Sequence, residues 1–164
     1  RATTMTLRHP IRHSLAAAIL ASALVIAAVA PAEAGRMACV SARDEIALNA
    51  RVLQTELMVA ALACFEQRRY NAFVTTFRRE IAAQGSSLRR FFSLAYVSAG
   101  TRQLNAFVTR LANDASIRSS AGSRRYCVAA GSLMTEALAA KPGDFERLSR
   151  SRNLSGHHGF PRCR

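Results

Sequence analysis

Four cysteines are the residues in this sequence whose chemistry is easiest to assign. They are Cys39, Cys64, Cys127 and Cys163. An even number of cysteines behind an export signal is typical of two disulfides formed in an oxidising compartment. Zinc binding is the alternative, but structural zinc sites usually contain closely spaced ligand pairs, and neither C-x-x-C nor H-x-x-x-H occurs here. We therefore expect two disulfides and no metal or other cofactor.

Helix geometry limits how the cysteines can pair. Cys39 and Cys64 flank the first predicted helix, and at ~1.5 Å per residue they lie far beyond the roughly 7 Å that a disulfide spans between Cα atoms. Two arrangements remain: Cys39–Cys127 with Cys64–Cys163, or Cys64–Cys127 with Cys39–Cys163. If five helices run up and down through short connections, the fifth is parallel to the first and Cys127 lies near Cys39. This topology favours the first arrangement.

Residues that commonly carry catalysis are scarce. After residue 34 the only histidines are His157 and His158, which are neighbours and which we expect to be exposed in the tail. Glu56 and Glu80 lie in predicted helices that also contain arginines, so surface ion pairs account for them. No H-E-x-x-H, G-x-x-x-x-G-K, G-x-G-x-x-G or G-x-S-x-G motif occurs. We predict that the protein is not an enzyme; the alternative is an enzyme of unrecognised type.

The charge of the chain is strongly positive, with a formal net charge of +13 that comes almost entirely from arginine. Such a charge favours anionic partners, namely envelope lipids, acidic polymers or nucleic acid. The competing interpretation is a solvated cationic surface over an apolar bundle. The possible anion contacts are four arginine doublets: Arg68 and Arg69, Arg78 and Arg79, Arg89 and Arg90, and Arg124 and Arg125.

The first 34 residues have the pattern of a signal peptide. Arg8 and Arg12 precede an apolar run at residues 14–30, and Ala32-Glu33-Ala34 has the A-x-A form of a cleavage site. The run is shorter than the ~18 to 20 residues of a membrane span. We predict cleavage after residue 34 and a periplasmic or secreted protein, with a retained membrane anchor as the alternative.

The rest of the chain has the apolar periodicity of α-helices and no convincing strand pattern. Residues 41–69 form the longest helical stretch, and Ser41 with Asp44 predicts a capped start. We expect an all-α bundle of about five helices over residues 35–152 and an irregular basic tail, residues 153–164, tied by Cys163. The later helices are predicted at residues 70–84, 87–100, 101–122 and 123–141, and one short turn follows Asp144.

A short internal repeat occurs in two of these helical segments. The pentapeptide NAFVT stands at residues 71–75 and again at residues 105–109, an offset of 34 residues. We interpret it as a duplicated helical hairpin within one bundle. Its Asn and Thr side chains share a helix face and suggest two matching polar pockets. The alternative is that the Phe and Val side chains simply pack in the core.

Three segments carry a family resemblance: LQTELMVAALAC at residues 53–64, RYNAFV at 69–74 and LNAFVTRLAN at 104–113. Over most of the chain after residue 34, the protein resembles small exported all-helical proteobacterial proteins of unknown function. The resemblance implies export and helicity, and no activity. We therefore expect an exported, non-enzymatic binding or interaction protein of the cell envelope. A cationic protein that binds anionic lipids, polymers or nucleic acid is the alternative.

Overall fold

The computed structural model describes residues 38–151 and 157–163, and the predicted signal segment at residues 1–34 lies outside these ranges. The described residues form an all-α structure, which confirms the predicted fold class. Its helices are α1 (Ala42–Ala63), α2 (Gln67–Thr76), α3 (Arg78–Tyr96), a 3-10 turn (Val97–Ala99), α4 (Gly100–Ala121), α5 (Ser123–Ala139) and α6 (Phe145–Ser151).

Helix α1 is the centre of the bundle and packs against each of the other five α-helices. Its start is capped as predicted, because the Ser41 hydroxyl accepts a hydrogen bond of 3.2 Å from the Asp44 N–H. Leu48, Leu53 and Leu57 are fully buried along its length. In the described part of the chain α1 alone has the length and apolarity of a membrane span, but 61% of that stretch is buried. Its apolarity is therefore that of a core helix.

The end of α1 differs from the prediction, which carried the helix to residue 69. The helix stops at Ala63, and Phe65 turns into the left-handed region with φ 59°. The Glu66 N–H then donates to the Ala61 carbonyl at 3.0 Å, as in a Schellman motif. Glycine is the usual residue at such a position, so a phenylalanine there does not predict a helix stop.

The boundary between α2 and α3 also differs from the prediction. We expected a break at Gly85, but α3 runs through it, and the chain bends at the fully buried Phe77. A glycine inside a helix costs about 1 kcal/mol relative to alanine. Burial of Leu88 and Phe91 on the continuing apolar face contributes roughly 1.5–3 kcal/mol each, which outweighs that cost.

The disulfides join Cys39 to Cys163 and Cys64 to Cys127, with Cα–Cα distances of 4.8 Å and 5.6 Å. The favoured arrangement, Cys39–Cys127 with Cys64–Cys163, is therefore wrong, and the other one is correct. The reason lies in α2, which has only 10 residues and does not traverse the bundle. Consequently α5 is antiparallel to α1, and Cys127 lies at the carboxyl end of α1. All four cysteines are described and none is free, which indicates an oxidising environment.

The tail returns to the amino end of α1. The Val40 N–H donates to the Pro161 carbonyl at 2.8 Å, and Arg162 forms two hydrogen bonds of 2.7 and 2.9 Å with Glu45. The Phe160 ring packs against the rings of three core residues, Phe91, Phe92 and Phe107.

His158 corrects the prediction that both tail histidines are exposed, because its side chain is buried. The Phe160 N–H donates to its Nδ1 at 3.1 Å, and Arg110 donates to its backbone carbonyl at 2.8 Å. Its neighbour His157 is exposed. The return of the tail to the core, which Cys163 and Phe160 enforce, is the physical reason for the burial.

The two copies of the NAFVT repeat use their apolar residues in the same way. Phe73 in α2 and Phe107 in α4 are both buried. The polar residues of both copies are exposed; they are Asn71, Thr75, Asn105 and Thr109. That they form two matching polar pockets stays a prediction. The copies lie in helices of 10 and 22 residues.

Candidate functional site: a groove between α1, α4 and α5

A groove of about 520 Å³ lies where the carboxyl end of α4 meets the first turns of α5, beside α1. This volume is within the range of about 300–1,000 Å³ that is typical of small-molecule sites. Most of the lining is apolar, and several of the side chains that α5 contributes are small. The described lining residues are Glu56, Arg118, Ala121, Gly122, Arg125, Tyr126, Ala129, Ala130, Leu133 and His157.

Polar groups converge at one side of the groove, around the Glu56 carboxylate. Its side chain is only 15% exposed, and Arg118 of α4 donates a hydrogen bond to Oε1. His157 Nδ1 lies 3.8 Å from the same oxygen. A carboxylate withdrawn from water in this way requires a positive partner, since an unpaired buried charge is costly. The pair Glu56–Arg118 therefore fixes α4 to α1 at this wall.

Tyr126 belongs to the same cluster. Burial, together with the neighbouring Glu56 carboxylate, raises the pKa of Tyr126 to about 12. At neutral pH the phenol therefore keeps its proton and stays a hydrogen-bond donor. In this groove it is a neutral polar group beside a charged pair.

A smaller cavity of about 180 Å³ adjoins the groove between α1 and α4. Glu56, Arg118 and His157 line both spaces, and Asp114 and Thr55 are among the further residues of the smaller one. The cluster therefore forms a polar partition between two concave regions. A ligand in the groove would meet this partition with its polar end.

A third cavity, of about 340 Å³, lies between α1 and α3. Two of its polar lining residues contact each other, since Arg51 donates to Gln54 Oε1 at 3.0 Å, and Gln54 also hydrogen-bonds with Tyr70, which lies outside the lining. Burial lowers the pKa of Arg51 and raises that of Tyr70. Gln54 is thus engaged by two neighbours, and we regard this cavity as a weaker candidate.

Two common catalytic arrangements are not found among the described residues of the groove. Its described lining residues include no serine, threonine or cysteine that a base could activate as a nucleophile. No group of three or more His, Cys, Asp or Glu residues in the described ranges has the arrangement of a metal site. The convergence of Glu56, Tyr126 and His157 is, however, the feature that an enzyme of unrecognised type requires, so that alternative stays a prediction.

The eight arginines that the sequence suggested as anion contacts do not form a single cluster. They are spread over three helices: Arg68 and Arg69 in α2; Arg78, Arg79, Arg89 and Arg90 in α3; and Arg124 and Arg125 in α5. Arg69 is engaged with Glu66 at 3.2 Å and with the Thr135 hydroxyl at 2.7 Å. Arg125 lines the groove, and Arg124 lies beside it.

Sequence reasoning missed the groove because its polar residues are distant in the chain. The prediction was that Glu56 forms a surface ion pair with an arginine of its own helix. Its partner is instead Arg118 on α4, 62 residues away in the chain. One available signal was the position of Glu56 itself, an acidic residue inside the most apolar half of α1. Neither Tyr126 nor His157 has a local pattern that indicates a site.

Fold and groove together define an all-α, disulfide-linked bundle with a mostly apolar groove. The sequence matches no protein-family model, no curated protein and no solved structure.

Proposed function

We propose that the protein is an exported, non-enzymatic binding protein of the cell envelope, and that its groove holds a small ligand with an apolar body and an anionic head group. The observation that carries the proposal is the groove itself, with an alanine and leucine surface ending at a cluster of polar side chains. Apolar pockets with few convergent polar groups are typical of small-molecule sites.

The charges of the groove indicate the sign of the ligand. Arg118 is neutralised by Glu56, whereas the exposed Arg125 forms no ion pair with a described residue. Arg125 therefore supplies an uncompensated positive charge at the rim. An anionic head group near Arg125 would place the apolar body against Ala129, Ala130 and Leu133.

Export is proposed on two observations. Both disulfides indicate an oxidising compartment, and the pattern of residues 1–34 predicts a signal peptide. The periplasm and the extracellular space both meet these conditions. A binding protein there would encounter amphiphilic anions at the envelope.

A fluorescence titration with a dansyl-labelled medium-chain fatty acid tests the function. Ala129 is exposed on the groove wall, and Ala129→Phe should fill the groove and abolish saturable binding of this probe. Arg125→Gln should weaken binding about tenfold or more, since a hydrogen bond to a charged group contributes about 1.5–3 kcal/mol.

The matched control is Ala83→Phe, which makes the same change at an exposed position of α3 outside the groove lining. It should leave binding unchanged. Wild-type protein that does not bind the probe, or an Ala129→Phe variant that binds it as tightly as wild type, would contradict the proposed function.

A further inference from the structure

Large apolar side chains are exposed around the Cys64–Cys127 disulfide. Leu62 and Phe65 flank Cys64 and are 66% and 87% exposed, and Val128, next to Cys127, is 71% exposed. The two cysteine Cα atoms are 5.6 Å apart, so these side chains share one end of the bundle. Single exposed apolar residues are ordinary on protein surfaces, but a cluster of them indicates an interaction surface.

Phe65 is the most unusual member of this cluster. Its φ of 59° is a left-handed conformation that is unfavourable for a bulky residue and suits glycine. Its ring is almost fully exposed, so it adds little to the core. The chain thus presents an aromatic ring to solvent at a strained turn where a glycine would fit better, which indicates that the ring contacts something outside the chain.

The charges beside the cluster are positive. Residues 62–69 and 123–128 contain four arginines and one acidic residue, Glu66, which pairs with Arg69 at 3.2 Å. Arg68 and Arg124 are exposed and form no ion pair within the described ranges. We call the set Leu62, Phe65, Val128, Arg68 and Arg124 the disulfide patch.

We propose that the disulfide patch docks the protein on a membrane surface that contains anionic phospholipids. Such a surface offers phosphate groups to Arg68 and Arg124, and directly beneath them the apolar layer into which Phe65, Leu62 and Val128 can insert. A nucleic acid or soluble polyanion would satisfy the arginines but leave the aliphatic side chains in water. A lipid surface complements both the charge and the apolarity of the patch, so we favour lipid as its binding partner.

A tryptophan reporter tests the docking directly, because the chain contains no tryptophan. In a Phe65→Trp variant with both disulfides formed, vesicles of phosphatidylcholine mixed with phosphatidylglycerol should shift the emission to shorter wavelength. Pure phosphatidylcholine vesicles should not, and added salt should reverse the shift by screening the arginines. No shift with the mixed vesicles, or an equal shift with RNA or polyphosphate, would overturn the proposal.

Co-sedimentation with the same mixed vesicles separates the two components of the patch. Phe65→Gly should lose most of the binding while keeping or raising the melting temperature, since glycine suits this φ. Arg68→Gln with Arg124→Gln should weaken binding about 25-fold, given about fivefold for each arginine near an anionic surface.

Matched controls make comparable changes on α3, which contributes no residue to the patch. Leu94→Ser alters an apolar residue that is 76% exposed, and Arg89→Gln with Arg90→Gln removes an equal charge. Both should bind the vesicles like wild type. An equal loss of binding in either control would show that the binding does not depend on the disulfide patch, and it would overturn the proposal. Ala129→Phe should also retain vesicle binding, so the groove and the patch can fail independently.

Discussion

His158 is the clearest case of a single residue whose environment sets a property of the whole protein. Burial lowers its pKa; nearby, Glu45 opposes this effect, while Arg162 and Arg110 reinforce it. Its Nδ1 accepts the Phe160 N–H, which is possible only while that nitrogen is unprotonated. The folded protein therefore favours the neutral ring.

This preference predicts a stability loss on the acid side. In the unfolded chain His158 binds a proton near pH ~6.5, and in the folded protein only at lower pH. The contribution of His158 to the free energy of unfolding should therefore be constant above pH ~6.5. Below that pH it should decrease as the pH falls through the pKa of His158 in the folded protein. Urea denaturation across this pH range measures the slope of the free energy of unfolding against pH.

His158→Asn is the matched variant, because its side-chain oxygen can replace Nδ1 as an acceptor and does not titrate. It should flatten the slope just below pH ~6.5 without abolishing folding. A variant with the same slope as wild type in this interval would assign the acid sensitivity to other groups, and the role given to His158 would be wrong.

At the scale of the elements, the sequence predicted the boundaries that have a local chemical cause. Ser41 caps α1, Gly122 separates α4 from α5, and α5 ends before Pro142. It failed where tertiary packing decides the boundary. Phe65 occupies a turn that usually takes glycine, and the bend at Phe77 is set by burial of its ring.

Gly100 illustrates the same point, since its role is to allow two helices to approach. We expected it to end the third helix, but it is the first residue of α4 and is buried. A Cβ atom there would lie 2.9 Å from the Phe92 carbonyl oxygen and 2.9 Å from the Ser93 Cα. Both of these are backbone atoms of α3, which cannot move aside as a flexible side chain would.

Gly100→Ala should therefore destabilise the protein by about 1–3 kcal/mol, the usual cost of overpacking. The control is Gly131→Ala in the interior of α5, where an added Cβ meets no atom within 4 Å. It should stabilise the protein by roughly 0.5–1 kcal/mol, because alanine is the better helix former. Chemical denaturation of both variants decides the matter; similar effects at the two positions would refute the close-approach argument.

At the scale of the whole molecule, the candidate site depends on topology, which single-sequence patterns specify poorly. Glu56 and Arg118 meet because α4 runs beside α1, and Tyr126 joins them because α5 is antiparallel to α1. One error in the length of α2 reversed the inferred direction of α5 and, with it, the disulfide pairing. The fold class was still predicted correctly, because helical periodicity is a local pattern. The site could not be predicted, because its residues are distant from one another in the chain.

The two disulfides close most of the chain, with sequence separations of 124 and 63 residues. By loop-closure entropy each should contribute about 4–5 kcal/mol to the free energy of unfolding, slightly more for the longer loop.

Cys64→Ala with Cys127→Ala should lower that free energy by about 4 kcal/mol and detach the start of α5 from the end of α1. Cys39→Ala with Cys163→Ala should lower it by a similar amount but release the tail instead, which removes Phe160 from its three aromatic neighbours and exposes His158. Denaturation of both pairs, with His158 followed by NMR, distinguishes the two effects. Proteolysis without reduction provides the direct check: peptides linking Cys39 to Cys127 would contradict both the pairing and the antiparallel course of α5.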